Sequence, residues 1–152
     1  MPFTITFARD LAPGPEAVFA AWIDPRVRAR FETPEGSGMR HESLDTREGG
    51  FEVTAIEEDG AKIGEAETFV ALMVPPENGA AGLILTQGRV AFAGRTHLLT
   101  QATLAFVPHE GGTRLSGTVQ AVSPTGAPGE PEIREGWDGM LDRFAAILEE
   151  RP

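Results

Sequence analysis

Apolar and polar positions follow a regular order from the first residues of the chain. Alternating phenylalanine, threonine and isoleucine predict a strand over residues 2–9. Residues 16–23 carry apolar side chains at helical spacing. Asp24-Pro25 is typical of the start of a second helix, which we expect to end near Phe31. The pattern therefore predicts one strand followed by two short helices.

The middle of the chain, residues 39–121, has the pattern of β-structure. Residue types that favour strands recur there, and turns such as Asp59-Gly60 and Gly111-Gly112 separate the segments. Six consecutive strands with short loops predict an antiparallel meander, and the N-terminal strand makes seven. The six predicted segments are 39–46, 51–57, 62–74, 83–92, 96–107 and 113–122.

The strongest helical pattern lies at the end of the chain, from residue 131 to about residue 150. Acidic side chains stand near its start, where the helix dipole favours them. The apolar positions form one broad stripe, and most charged positions lie off it. The stripe comprises Ile133, Trp137, Met140, Leu141, Phe144, Ala145 and Leu148.

These elements predict a single α+β domain over residues 1–152, in which the long helix covers one face of a curved seven-stranded antiparallel sheet. Seven strands around one helix leave space between them, so we expect an apolar pocket that holds a small molecule. The helix should face the sheet through Trp137, Met140, Leu141 and Phe144. The opposing residues should include Leu104, Phe106, Leu115 and Val119.

Three residues of neighbouring strands complete the predicted pocket: Phe69, Glu67 and Arg89. Glu65 and Glu67 share one face of their strand because side chains alternate. If that face lines the cavity, the two carboxylates could act as an acid–base pair, with Arg89 as a polar anchor for a ligand. If it is the outer face, they form a solvated acidic stripe, which the rarity of buried unpaired charge favours. We expect Trp22 to pack at the sheet edge, outside the main cavity.

Candidate catalytic and metal-binding residues are few. The three histidines, at positions 41, 97 and 109, lack metal-ligand spacing, and the chain has no cysteine. No serine stands in a nucleophile motif, and no nucleotide fingerprint is present. The arginines between Arg26 and Arg30 are interpreted as a solvated face, with an anion site as the alternative. The sequence therefore predicts no catalytic residue, no metal and no cofactor.

Composition and charge limit the partners of the chain. Its 152 residues are 41% apolar and 24% charged, as in ordinary globular proteins. The net charge of −10 disfavours nucleic-acid binding, and no apolar run is long enough to span a membrane. The N-terminus lacks a signal-peptide pattern, so we expect a cytoplasmic protein. A homodimer is compatible with these observations.

Four local patterns occur in the order found in a known family. They are Ala12 to Pro25, Asp45 to Gly50, Gly111 to Leu115, and Gly136 to Arg143. Together they resemble the START-like (SRPBCC) superfamily, and within it the branch named for the activator of the heat-shock-protein-90 ATPase. The resemblance covers essentially the whole chain and implies the helix-grip fold. The chain departs from the pattern at Phe31, where many members carry tryptophan, and in having no tyrosine.

The resemblance implies one fold but several activities, because its relatives include carriers, hydroxylase accessory proteins and cyclases. The leading hypothesis is a binding protein for an apolar or aromatic small molecule. The second is a cyclase-, dehydratase- or isomerase-like enzyme for a polyketide-like substrate, which converging polar side chains in the cavity would favour. The third is a chaperone-interaction domain, which a filled cavity and an exposed apolar patch would favour.

Overall fold

Seven strands form one sheet in the computed structural model, which describes residues 2–150. They are β1 (Pro2–Leu11), β2 (Met39–Ser43), β3 (Phe51–Glu58), β4 (Ala61–Val74), β5 (Gly82–Phe92), β6 (Arg95–His109) and β7 (Gly112–Val122). Every neighbouring pair is antiparallel, and the order across the sheet is β1-β7-β6-β5-β4-β3-β2. The predicted seven-stranded antiparallel sheet is confirmed, and the structure adds that β1 lies beside β7.

Two tight turns explain why the meander reverses where the sequence predicts. Between β3 and β4, Asp59 and Gly60 have φ angles of 52° and 79°. Between β6 and β7, Glu110 and Gly111 have φ angles of 49° and 81°. Positive φ at both central residues gives a turn whose twist matches that of the flanking strands. Glycine adopts this conformation without a steric penalty, and it occupies the second position in both turns.

Three helices cover one face of the sheet, called here the helix-covered face; the opposite side is the outer face. They are α1 (Pro15–Ile23), α2 (Pro25–Phe31) and α3 (Glu130–Glu149). The Asp24 carboxylate accepts a 2.8 Å hydrogen bond from the backbone N–H of Arg26 and so caps α2. The long helix α3 packs against β1 and α2. Within residues 2–150, no helix is both long enough and apolar enough to cross a membrane.

The main core lies between the helices and the sheet. The Phe144 ring of α3 is fully buried, 4.9 Å from the Trp22 ring and 5.1 Å from the Phe31 ring. Phe106 of β6 meets Trp22 edge to face. The predicted facing of the terminal helix is confirmed, because the two core clusters contain its Trp137, Met140, Leu141 and Phe144 together with Leu104, Phe106, Leu115 and Val119 of the sheet.

A β-bulge in β4 changes which side chains face the helices. The pairing of β4 with β5 shifts between Val70 and Leu72. An extra residue in a strand reverses the alternation beyond it. As a result, both Val70 and Met73 reach the helix-covered face, although they are an odd number of residues apart.

Candidate functional site

A cavity of about 170 Å³ lies between the sheet and the helices. Strands β4, β5 and β6 form its floor, and side chains of α1 and α3 cover it. A dry cavity of about 150 Å³ is large enough to hold benzene. The space therefore fits a ligand of about one ring.

Apolar side chains form most of the cavity wall. Trp22 projects from α1, and Trp137 and Met140 project from α3. Ile84 of β5 and Leu104 of β6 lie on the sheet side. These residues give a ligand ring an aromatic and aliphatic environment, in which burial of apolar surface favours binding.

The position of Trp137 depends on a contact with β1. Its ring stacks on Phe7, with ring centroids 5.1 Å apart and an angle of 25° between the planes. The Phe7 ring lies against Gly117 of β7, where an added Cβ would come within 2.2 Å of the Phe7 Cζ. The glycine is therefore needed for the close approach of Phe7, which in turn supports Trp137 beside the cavity.

Threonines on three adjacent strands add polar groups to the floor. Thr68 of β4, Thr86 of β5 and Thr100 of β6 all line the cavity. Gly88 pairs with Thr100 across the strands, and a Cβ at Gly88 would lie 2.7 Å from the Thr100 Oγ1. The glycine thus leaves room for this hydroxyl. Each hydroxyl can donate one hydrogen bond and accept others.

Four further polar residues, called here the polar cluster, meet at the cavity wall: Arg28, Glu32, Thr46 and Glu52. The Arg28 Nε donates to Glu32 Oε1 at 2.8 Å, and its Nη1 donates to Glu52 Oε2 at 2.8 Å and to Thr46 Oγ1 at 2.9 Å. The Thr46 hydroxyl donates to the same Glu52 oxygen at 2.6 Å. The Arg28 side chain is only 11% exposed and that of Glu52 only 4%. The cluster is therefore a buried ionic network.

His41 of β2 extends this network. Its Nε2 lies 3.1 Å from Glu32 Oε1, and the side chain is 12% exposed. Because a carboxylate only accepts hydrogen bonds, the contact requires a proton on Nε2. The imidazole contacts Glu32 but does not itself line the cavity.

The charges of the network stabilise one another. Burial by itself disfavours ionisation of Glu32, but the hydrogen bond from His41 and the charge of Arg28 outweigh it and hold the pKa of Glu32 below its ordinary value. Burial likewise disfavours the charged form of Arg28, but Glu32 and Glu52 outweigh it and raise the pKa of Arg28 above its ordinary value. Both groups are therefore ionised at neutral pH.

This ionisation predicts how acid affects the fold. Because the pKa of Glu32 is lowered on folding, its stabilising contribution is present above its ordinary pKa of 4.5 and is lost as the pH falls below that value. Urea unfolding measures the difference in free energy of unfolding between wild type and Glu32→Gln. This difference should be larger at pH 7 than at pH 3.5. For comparison, Glu42→Gln removes a carboxylate that is also paired, with Lys62, but is exposed, so solvent screening should make its pH-dependent difference smaller. A Glu32→Gln difference that does not shrink in acid would contradict the assigned pKa direction.

The structure divides the predicted pocket residues into three groups. Trp137, Met140 and Leu104 line the cavity. Leu141, Phe144 and Phe106 lie beside it in the packed core, where each is at most 1% exposed. The third group faces the other way.

Phe69, Glu67 and Arg89 lie on the outer face of the sheet, which corrects the prediction that they line the cavity. Phe69 is 41% exposed, and Glu67 pairs with Arg89 at 3.0 Å. The inward positions of β4 before its bulge are even-numbered, Thr68 and Val70. A facing error of one residue inverts every side chain of a strand, so Glu67 and Phe69 of β4 were wrong together. Arg89 of β5 is the cross-strand partner of Glu67 and was wrong with it.

Two expectations near the N-terminus are also wrong. Trp22 lines the cavity instead of standing outside it, because the stripe of α1 packs over β5 and β6. Arg28 is buried in the polar cluster, whereas Arg30 pairs with Glu150 and has a half-exposed side chain. The missed signal was the spacing of Arg28 and Glu32, which places opposite charges one helical turn apart.

The remaining candidates lie away from the cavity. Glu65 is on the outer face with Glu67 and contacts Lys62 at 3.4 Å, so the solvated alternative for these carboxylates is the correct one. His109 belongs to a surface network with Asp10 and Arg114. Among residues 2–150, no group of three histidine or acidic side chains is arranged to hold a metal ion.

Comparisons with known proteins agree with this architecture. The sequence model of the family described as Activator of Hsp90 ATPase homolog 1-like protein matches residues 13–149. The Mll3558 protein from Rhizobium loti is 27% identical, with a TM-score of 0.82 and 96% of each chain covered. Protein CV1439 from Chromobacterium violaceum is 26% identical, with a TM-score of 0.77 and coverage of 97% of this chain and 98% of the other.

A third neighbour shows the fold alone. It is an uncharacterized protein from Rhizobium leguminosarum, 23% identical, with a TM-score of 0.85 and coverage of 99% of this chain and 97% of the other. A comparison with curated proteins gave no match.

Proposed function

This chain belongs to the family of Activator of Hsp90 ATPase homolog 1-like proteins, and we propose that it binds a compact small molecule in the cavity between its sheet and α3. The observation that carries this proposal is the composition of the cavity wall. Two tryptophans, Met140 and aliphatic side chains meet a polar cluster across one cavity. Binding sites for small molecules combine a mostly apolar lining with a few placed polar groups in this way.

The size of the cavity limits the ligand. Sites for drug-sized molecules have volumes of about 300–1,000 Å³, whereas this one has about 170 Å³. A ligand with one aromatic or alicyclic ring and a short polar substituent suits the space. A polyketide-like substrate with several fused rings does not, so the size argues against the cyclase alternative. A cytoplasmic location stays a prediction from the sequence.

Calorimetry with benzyl alcohol tests this proposal. Wild type should bind the probe, and the bound state should be stabilised against unfolding by about 2.7 kcal/mol at 100 times the dissociation constant. Binding of benzyl alcohol should also change the tryptophan fluorescence of wild type. Because both tryptophans line the cavity, Trp22→Phe and Trp137→Phe should each keep part of this change.

A matched pair of variants locates the binding site. Ala102 lies on β6 between Thr100 and Leu104 and lines the cavity, so Ala102→Phe places a ring of the probe's own size in it and should abolish binding. The control is Gln101→Phe, which adds the same ring to the outer face and should bind as wild type does. Binding that is equal in the two variants would refute the assignment of the cavity.

An enzyme using the same cavity is the second candidate function. The observation that favours it is the convergence of Arg28, Glu32, Thr46 and Glu52 on the cavity wall. A carboxylate in such a setting can move a proton if one of its oxygens reaches the ligand. The enzyme would be supported if wild type chemically converts a bound probe, whereas the Glu52→Gln variant binds the same probe without converting it. Binding without conversion supports the carrier.

A further inference from the structure

The two oxygens of the Glu52 carboxylate differ in their partners. Oε2 accepts hydrogen bonds from Arg28 Nη1 and from the Thr46 hydroxyl. Oε1 has no hydrogen-bond partner among residues 2–150. No side-chain oxygen that is fully shut off from solvent lacks a partner in this part of the chain. Oε1 therefore keeps some accessible surface, and Glu52, which is 4% exposed, is one of the residues that line the cavity.

The register of the sheet fixes the face on which the Glu52 side chain lies. Glu52 of β3 stands opposite Thr68 of β4, and directly opposed residues point to the same face. Thr68 lines the cavity floor. The carboxylate therefore projects beside the row of threonine hydroxyls, and the ion pair with Arg28 prevents it from turning away.

The charge of the cavity wall selects among ligands. Among residues 2–150, Arg28 is the one cationic side chain that lines the cavity, and it is paired with the two carboxylates Glu32 and Glu52. Counted as formal charges, these three lining residues carry one negative charge in excess. An anionic ligand would meet this excess in a setting of low dielectric, whereas a cation would neutralise it. The net charge of −10 over the whole chain acts in the same direction.

We propose that the ligand is a compact amine, with its ammonium group donating to Glu52 Oε1 and its ring lying against Trp22 and Trp137. This inference rests on the proposed binding function and adds the chemical class of the ligand. Hydrogen bonds between a charged donor and a carboxylate are the stronger kind. The threonine hydroxyls supply acceptors for the remaining N–H groups.

Three probes of the same ring and similar size test the inference on wild-type protein: benzylamine, benzyl alcohol and benzoate. Benzylamine should bind about 10- to 100-fold more tightly than benzyl alcohol, because a charge-assisted hydrogen bond replaces a neutral one. Benzoate should bind more weakly than either. Benzoate or benzyl alcohol binding as tightly as benzylamine would overturn the inference and leave the binding function intact.

A variant pair assigns the preference to Glu52. Glu52→Gln keeps the shape of the side chain and should reduce the preference for benzylamine over benzyl alcohol by about 10-fold or more. Glu67→Gln removes an equal charge from an arginine-paired glutamate on the outer face and should leave the preference unchanged. An unchanged preference in Glu52→Gln would overturn the inference. If that variant does not fold, the ranking of the three probes on wild type decides the question. If no probe binds wild type, the binding function fails, and the inference fails with it.

Discussion

Replacing Arg28 with methionine is expected to lower the free energy of unfolding by about 3–5 kcal/mol, because it leaves buried carboxylates without their cation. Arg28 holds Glu32 and Glu52 at 2.8 Å each, and the Glu52 side chain is almost fully buried. Methionine keeps an apolar stem, so the loss reports mainly on charge and hydrogen bonding. Urea unfolding at pH 7 measures the effect.

The control for this substitution is Arg30, which belongs to the same helix as Arg28. Arg30 pairs with Glu150, but both side chains are more than half exposed. Exposed ion pairs of this kind contribute about 0–1 kcal/mol. Arg30→Met should therefore be close to wild type in stability. A loss under 1 kcal/mol in Arg28→Met, or an equal loss in both variants, would contradict the buried network.

Replacing Phe144 with alanine is expected to cost about 3–5 kcal/mol, the usual range for removing a buried phenylalanine ring. The ring is fully buried and contacts the rings of Trp22 and Phe31. Its removal leaves a void between α1, α2 and α3.

Phe69→Ala is the matched control for Phe144→Ala. It removes the same ring from the outer face, where Phe69 is 41% exposed. The free energy of unfolding should change by less than about 1 kcal/mol, since surface substitutions seldom have large effects. If Phe69→Ala proved as costly as Phe144→Ala, the facing of β4 described here would be wrong.

The fold could be predicted from sequence because its strongest signals are local. The apolar stripe of α3 runs from Ile133 to Leu148, about four turns, so one misplaced residue does not change the face it presents. Turn residues such as Asp59-Gly60 and Glu110-Gly111 mark where strands reverse. The order of elements then follows from an antiparallel meander with short loops.

The facing of the strands could not be predicted with the same security. Phe51, Phe69 and Leu99 are large apolar residues on the outer face, and each is at least 41% exposed. Apolar side chains on both faces remove the simple alternation on which the facing of a strand depends. The bulge in β4 then reverses the alternation within a single strand.

The polar cluster was missed for a different reason. Its members come from α2, the residue after it, the loop before β3 and the start of β3, spread over residues 28–52. No spacing motif links such residues, because only the folded chain brings Arg28 into contact with Thr46 and Glu52. The Arg28–Glu32 spacing was the one local signal, and pairs with this spacing also occur on exposed helix surfaces.

A crystal structure of the protein grown with benzyl alcohol tests the central claim most directly. The proposed function predicts the ring of the probe within the cavity, in contact with Trp22 and Trp137, and its hydroxyl toward the polar cluster or the threonine row. A crystal of Ala102→Phe grown in the same way should lack the probe at this position. An unoccupied cavity in the wild-type crystal at a saturating concentration, or a probe bound only on the outer face between Phe51 and Phe69, would contradict the claim.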